Sequence, residues 1–206
     1  MKKVLSLLVV VAAVFSSAAL AQTGDSHTIN VKIPNLLRLR IVDTGGLNSS
    51  NNGAIAFDYN STAALQDQYI NEVNAPTGGL APTTVTGFGD VIVFSNRTGW
   101  NVFVSASTLV FSDTRGLGLT AGAGLDLTDI IVTPSGSLDT GVTSVAGSWD
   151  LEHTGPSTYG DLIAQGGKTQ GWSSLGFGGS NYKLVVDGDE NPGDYDTTVT
   201  YTIVGL

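Results

Sequence analysis

The stretch Thr197-Thr198-Val199-Thr200-Tyr201-Thr202-Ile203-Val204 decides the fold. Val199, Tyr201 and Ile203 fall on one side of an extended chain and Thr198, Thr200 and Thr202 on the other, the period of two that a half-buried β-strand requires. The same alternation recurs upstream. Trp100, Val102, Val104 and Ala106 share a face opposite Asn101, Phe103 and Ser105, fed by a Thr98-Gly99 turn. Asp90–Ser95 instead carries Val91, Ile92, Val93 and Phe94 as an unbroken apolar run, which suits a central strand covered on both faces.

Further strands are expected at Ala54–Tyr59, Leu109–Ser112, Asp129–Thr133, Val142–Leu151 and Asn181–Asp187. Turn signals punctuate them at Asp43-Thr44-Gly45-Gly46, Asn51-Asn52-Gly53, Pro134-Ser135-Gly136 and Gly178-Gly179-Ser180. One segment, Ser61–Val73, competes as a helix, because Leu65, Tyr69 and Val73 recur every four residues behind a Ser61 or Asn60 cap. The Gly-rich tracts 116–124 and 166–179 read as long surface loops, and no repeat of fixed period is visible. The expected class is all-β: a single antiparallel β-sandwich with long Gly-rich loops, occupying residues 22–206.

Residues 1–21 read as a cleaved signal peptide. Met1-Lys2-Lys3 is followed by an apolar run from Val4 to Phe15 and by Ala19-Leu20-Ala21, an A-x-A cleavage site before Gln22. The run is about a dozen residues, short of the roughly 20 that span a bilayer as a helix, so no transmembrane segment is expected in the mature chain. The expected location is therefore outside the cell or on its surface.

Cleavage leaves 185 residues and moves the formal charge from −9 to −11, since Lys2 and Lys3 depart. Phosphate backbones need clustered cations, and here the basic residues are scattered, or paired as Arg38 and Arg40 on one short strand, so nucleic acid is not an expected partner. The chain has no cysteine, which removes disulfides and thiolate metal sites from the means of holding the fold.

The first mature strand stands apart. Ile29, Val31, Ile33, Leu37, Leu39 and Ile41 are all odd-numbered, so one register places them on one face, interrupted by Asn35. Thirteen residues at about 3.3 Å each would span roughly 43 Å, more than twice a typical strand. Pro34 has no amide hydrogen and marks an edge, a bulge or a switch between sheets. Two readings follow: a strand that bends at Pro34-Asn35 and serves both sheets, or an assembly strand given to a neighbouring subunit, where it satisfies backbone hydrogen bonds and fills an apolar groove.

Catalytic chemistry finds few residues. His27 and His153 are the two histidines, and Gly24-Asp25-Ser26 precedes the first strand, whereas a nucleophile elbow follows one. In Trp149-Asp150-Leu151-Glu152-His153, alternation sends Asp150 and Glu152 to the face opposite Trp149 and Leu151. Paired carboxylates for glycoside cleavage must lie about 5–9 Å apart, which spacing in sequence cannot show. A non-enzyme without a resident cofactor is expected. The loop Asp187–Asp196 offers hard oxygens at Asp187, Asp189 and Asn191, a candidate calcium site; Pro192 stands where a helix-loop-helix calcium loop has Gly, and Thr198 where it has Glu. The competing reading is a solvated hairpin loop turning at Pro192-Gly193. Trp149 and Trp172 are candidate stacking platforms for a glycan, or loop and core anchors.

Two segments, Phe94–Ser107 and Tyr195–Ile203, resemble the signature strands of WxL-type bacterial surface domains, with Gly99-Trp100 in the first and the Thr200-Tyr201 step in the second. Val102, Tyr201 and Ile203 replace the family's Leu, Trp and Leu with strand-compatible residues. The Pro192-Gly193-Asp194-Tyr195 turn and the Thr-rich strand after it are similar also to those of exported fibre subunits. Either resemblance implies a surface protein without catalysis. The expected function is an exported structural or adhesive protein of a bacterial envelope, possessing in Ile29–Ile41 a means of pilus-like self-assembly; its partners would be an envelope component or copies of itself. The alternative is a secreted carbohydrate-binding module, and a secreted hydrolase using carboxylates ranks behind it.

Overall fold

The computed structural model describes Thr28 and residues 30–43, 53–120 and 124–206. The leader, Gly24-Asp25-Ser26, His27, Ile29 and most of the turns expected at 43–46 and 51–53 lie outside the described residues. The chain divides after Pro34 into two units. Of the first, Thr28 and residues 30–34 belong to no strand, and Val31 and Ile33 are 72% and 78% exposed.

Among the described residues, the second unit is all-β apart from one helix and two short 3₁₀ turns. Its strands are β1 Leu37–Val42, β2 Ala54–Ala56, β3 Thr84–Thr86, β4 Asp90–Ser95, β5 Trp100–Ala106, β6 Val110–Ser112, β7 Ile130–Val132, β8 Val142–Val145, β9 Trp149–Asp150, β10 Asp161–Gly166, β11 Ser173–Ser174, β12 Tyr182–Leu184, β13 Asp194–Asp196 and β14 Val199–Gly205. They form antiparallel sheets in the orders β1-β4-β11, β14-β5-β10-β8, β12-β7-β9, β13-β6 and β2-β3. The expected single sandwich is thus distributed over several sheets, and the three larger ones contribute to one core.

β4 and β5 form its centre. Val91, Ile92 and Val93 are all buried, as their unbroken run predicts for a strand between β1 and β11. At Asn96–Gly99 the chain crosses to the next sheet, with the buried Ser95 hydroxyl accepting from Arg97 N–H at 3.0 Å. Trp100 and Val102 are then wholly buried. The Trp100 indole N–H donates to Gly167 C=O at 2.7 Å. Gly166 has to be small here, because a Cβ on it would meet the Trp100 ring at 2.1 Å.

Several expectations need correction. Ile29–Ile41 is not one long strand and does not serve two sheets: β1 begins at Leu37 and belongs to one sheet, because β4, its partner, turns away at Asn96. Val142–Leu151 splits into β8 and β9, which join different sheets across the break at Ala146–Ser148. The 166–179 tract is not a surface loop, since it contains β11 and carries Leu175 and Phe177 into the core. β10 escapes detection because a bulge between Leu162 and Ala164 breaks the alternation, turning both Ile163 and Ala164 inward. The helix exists as α1, Ala63–Asn74, but its cap is Thr62, whose hydroxyl accepts from Leu65 N–H at 3.3 Å.

Candidate functional site

β1 and β14 are edge strands of the β1-β4-β11 and β14-β5-β10-β8 sheets, and they lie beside one another without a hydrogen-bonded ladder between them. Leu37, Leu39 and Ile41 pair opposite Ser95, Val93 and Val91 and pack, partly buried, against the core; Arg38 and Arg40 take the other face. The ladder ends one residue earlier, where Asn96 N–H donates to Leu36 C=O at 3.2 Å and the Asn96 side-chain oxygen accepts from Leu36 N–H at 2.8 Å. Arg97 Nε then donates to Asn35 Oδ1 at 2.9 Å. Of the assembly-strand candidates, the fold therefore gathers Leu37, Leu39 and Ile41, leaves Val31 and Ile33 exposed, and Ile29 lies outside the described residues.

On β14, Val199, Tyr201 and Ile203 face the core and are only partly buried. Ser107 N–H donates to Thr198 C=O, and Leu206 N–H to Gly99 C=O. Even-numbered residues therefore bond toward β5, and antiparallel geometry turns the N–H and C=O of Val199, Tyr201, Ile203 and Gly205 to the outer edge. Tyr201 is anchored by a hydroxyl–hydroxyl hydrogen bond to the buried Tyr182. Burial pushes Tyr182 up to about 12 and raises Tyr201 as well. The segments Phe94–Ser107 and Tyr195–Ile203 contribute the paired strands β5 and β14, with Tyr201 opposite Val104 and Ile203 opposite Val102.

The acidic loop is tied by its own hydrogen bonds. Glu190 accepts from Asp187 N–H at 2.9 Å, from Gly188 N–H at 3.1 Å and from the Tyr69 hydroxyl of α1. Asp187 accepts from Asp189 N–H at 3.1 Å, whereas the Asn191 side-chain amide donates to Thr120 C=O at 3.3 Å. Asp189 is raised above the usual carboxylate range, first by a side-chain hydrogen bond with Asp187 and then by that group's charge. Asp129 is raised by burial and, to a lesser degree, by the carboxylates of Asp126, Asp187 and Glu190. Asp187 and Asp189 thus engage one another, while the Asn191 side chain is turned to Thr120. Among the described residues no group of three or more His, Cys, Asp or Glu side chains is placed to hold a metal ion.

Trp149 lies on β9, and Trp172 immediately precedes β11. Trp149, on β9, packs edge-on against Phe177 with ring centroids 5.1 Å apart, and its indole N–H is buried without a hydrogen-bond partner. Trp172 meets Phe94 edge-on at 5.8 Å, and the Arg40 guanidinium lies 4.7 Å from its ring centroid, so one face of the ring is already covered.

His153 Nδ1 lies 3.1 Å from Asp161 Oδ1, which also accepts from Gly155 N–H at 2.9 Å; the other oxygen accepts from Thr154 N–H at 3.3 Å. The pair staples the loop before β10. Asp150 accepts from Glu152 N–H at 3.0 Å, a local turn bond, and Leu151 is buried between them as alternation predicts. What sequence reasoning overlooked is the outer edge of β14, though its signal was present: no charge and no proline from Thr197 to Val204. No protein-family model, curated protein or solved structure matches this chain.

Proposed function

We propose that this chain is an exported, non-enzymatic structural or adhesive protein of a bacterial envelope, found at the cell surface or outside it, that assembles with copies of itself through its N-terminal segment. The observation that carries the reading is the exposure of Val31 and Ile33, two large apolar residues at alternate positions immediately before an edge strand. Leaving such side chains in water forgoes roughly 1.5–3 kcal/mol each. Docking on a second copy recovers that energy.

Other features support the same reading. The Met1–Ala21 pattern is that of an export label, and the WxL resemblance rests on β5 and β14, which pair with one another. No helix among the described residues is long and apolar enough to cross a membrane. The carbohydrate-binding alternative has less support, because one face of Trp172 is covered by Arg40 and Trp149 is wedged on Phe177.

Electron microscopy of the purified mature protein tests the proposal. Filaments or regular arrays are expected. Turnover of a glycan or ester by the same preparation would overturn it.

A further inference from the structure

Building on the self-assembly proposed above, we infer that the outer edge of β14 in one copy is the acceptor for residues 30–33 of a second copy, which add to it as a further strand. The donor has the required pattern: Val31 and Ile33 alternate with Asn30 and Lys32, and all four are exposed.

The acceptor is chosen by comparing edges. An unpaired strand edge is a template for another chain, and proteins protect such edges by shortness, charge, proline or bulges. β1 carries Arg38 and Arg40. β8 has four residues and an irregular ladder with β10, and β11 has two residues. The remaining small sheets are built from strands of two or three residues. β14 alone among the described edges combines seven residues with no charge and no proline.

Side chains fit as well as backbone. A strand added to β14 places Val31 and Ile33 in line with Val199, Tyr201 and Ile203, whose partial burial leaves apolar surface for them to cover. Asn30 and Lys32 then fall beside Thr200 and Thr202, where no charge on β14 opposes the lysine. Pairing uses the outward N–H and C=O groups of Val199, Tyr201, Ile203 and Gly205, so the β14–β5 ladder is undisturbed.

The chain has no cysteine, so single cysteines report contacts cleanly. Mature K32C protein is mixed with mature T200C or T202C protein, and separately with R40C or T143C protein to sample the β1 and β8 edges. After oxidation, mixed disulfides are mapped by mass spectrometry, with light scattering recording assembly. All five substitutions are on exposed or partly exposed side chains, and circular dichroism confirms that each variant is folded. The expected result is a mixed disulfide from K32C to T200C or T202C, and its loss when V31D and I33D are added to the K32C chain. Assembly with cross-links to R40C or T143C instead would overturn the β14 assignment while leaving self-assembly standing. A monomeric K32C/T202C double variant that closes a disulfide within one chain would overturn exchange between copies. Absence of assembly from every mixture, with all variants folded, would overturn the proposed function itself.

Discussion

Residues 100–104 and residues 31–33 carry the same alternating apolar code and meet opposite fates. Trp100 and Val102 are wholly buried, whereas Val31 and Ile33 are 72% and 78% exposed. The difference is the partner. β5 has β10 on one side and β14 on the other, while Asn30–Ile33 belong to no ladder. Alternation states which side chains would share a face, not whether another strand will be there to cover it.

The comparison is most directly broken at its buried end. Trp100→Ala removes the largest buried ring and the hydrogen bond to Gly167, and is expected to cost about 3–5 kcal/mol in urea unfolding. Next comes Tyr201→Phe, which leaves the buried Tyr182 hydroxyl without its partner and should cost about 1–3 kcal/mol by the same measurement. The pair also sets an alkaline limit. Tyr182 is raised from its ordinary 10 to about 12, so the folded state holds its proton more tightly, and the stability it contributes is full below pH 10 and falls as pH rises toward 12. Melting temperatures across that window should fall less steeply in Tyr182→Phe, once its lower starting stability is subtracted.

A smaller effect is expected at Glu72, a buried carboxylate that accepts from Thr77 N–H at 2.8 Å, Gly78 N–H at 3.1 Å, Gly79 N–H at 2.7 Å and the Thr77 hydroxyl at 2.6 Å. These bonds, the Thr77 hydroxyl foremost, lower it from 4.5 to about 2. A depressed carboxylate contributes its stability above pH 4.5 and loses it as pH falls toward 2. Glu72→Gln should therefore melt below the parent at neutral pH, by less than Tyr201→Phe, and show a flatter acid profile by circular dichroism. The exposed end of the comparison gives the smallest change: Val31→Ser and Ile33→Ser should alter the unfolding free energy of the dilute protein by no more than about 0.5 kcal/mol. A larger loss there would show that these residues support their own chain.

Much of the strand pattern was legible because it is local. The run Val91–Phe94 and the alternation at Trp100–Ala106 and Val199–Ile203 each identify a strand without knowledge of its neighbours. β10 was hidden by its bulge, and β11 consists of two serines whose pairing depends on Ile92 and Val93 some 80 positions earlier. The candidate residues divide the same way. Asp187, Asp189 and Asn191 look equivalent in sequence, yet Glu190, Tyr69 and Thr120 determine what surrounds them. Trp172 looks like a platform until Arg40, 132 positions away in the chain, is found over its ring.

By itself, the sequence determined the all-β class and the faces of the main strands, because period-two patterning acts within a few residues. Tertiary structure decided which strands pair, which sheet each one joins, and which apolar residues remain uncovered. Those outcomes depend on backbone N–H and C=O groups finding partners far away in the chain, and for Val31 and Ile33 no such partner is supplied by a ladder of the described residues.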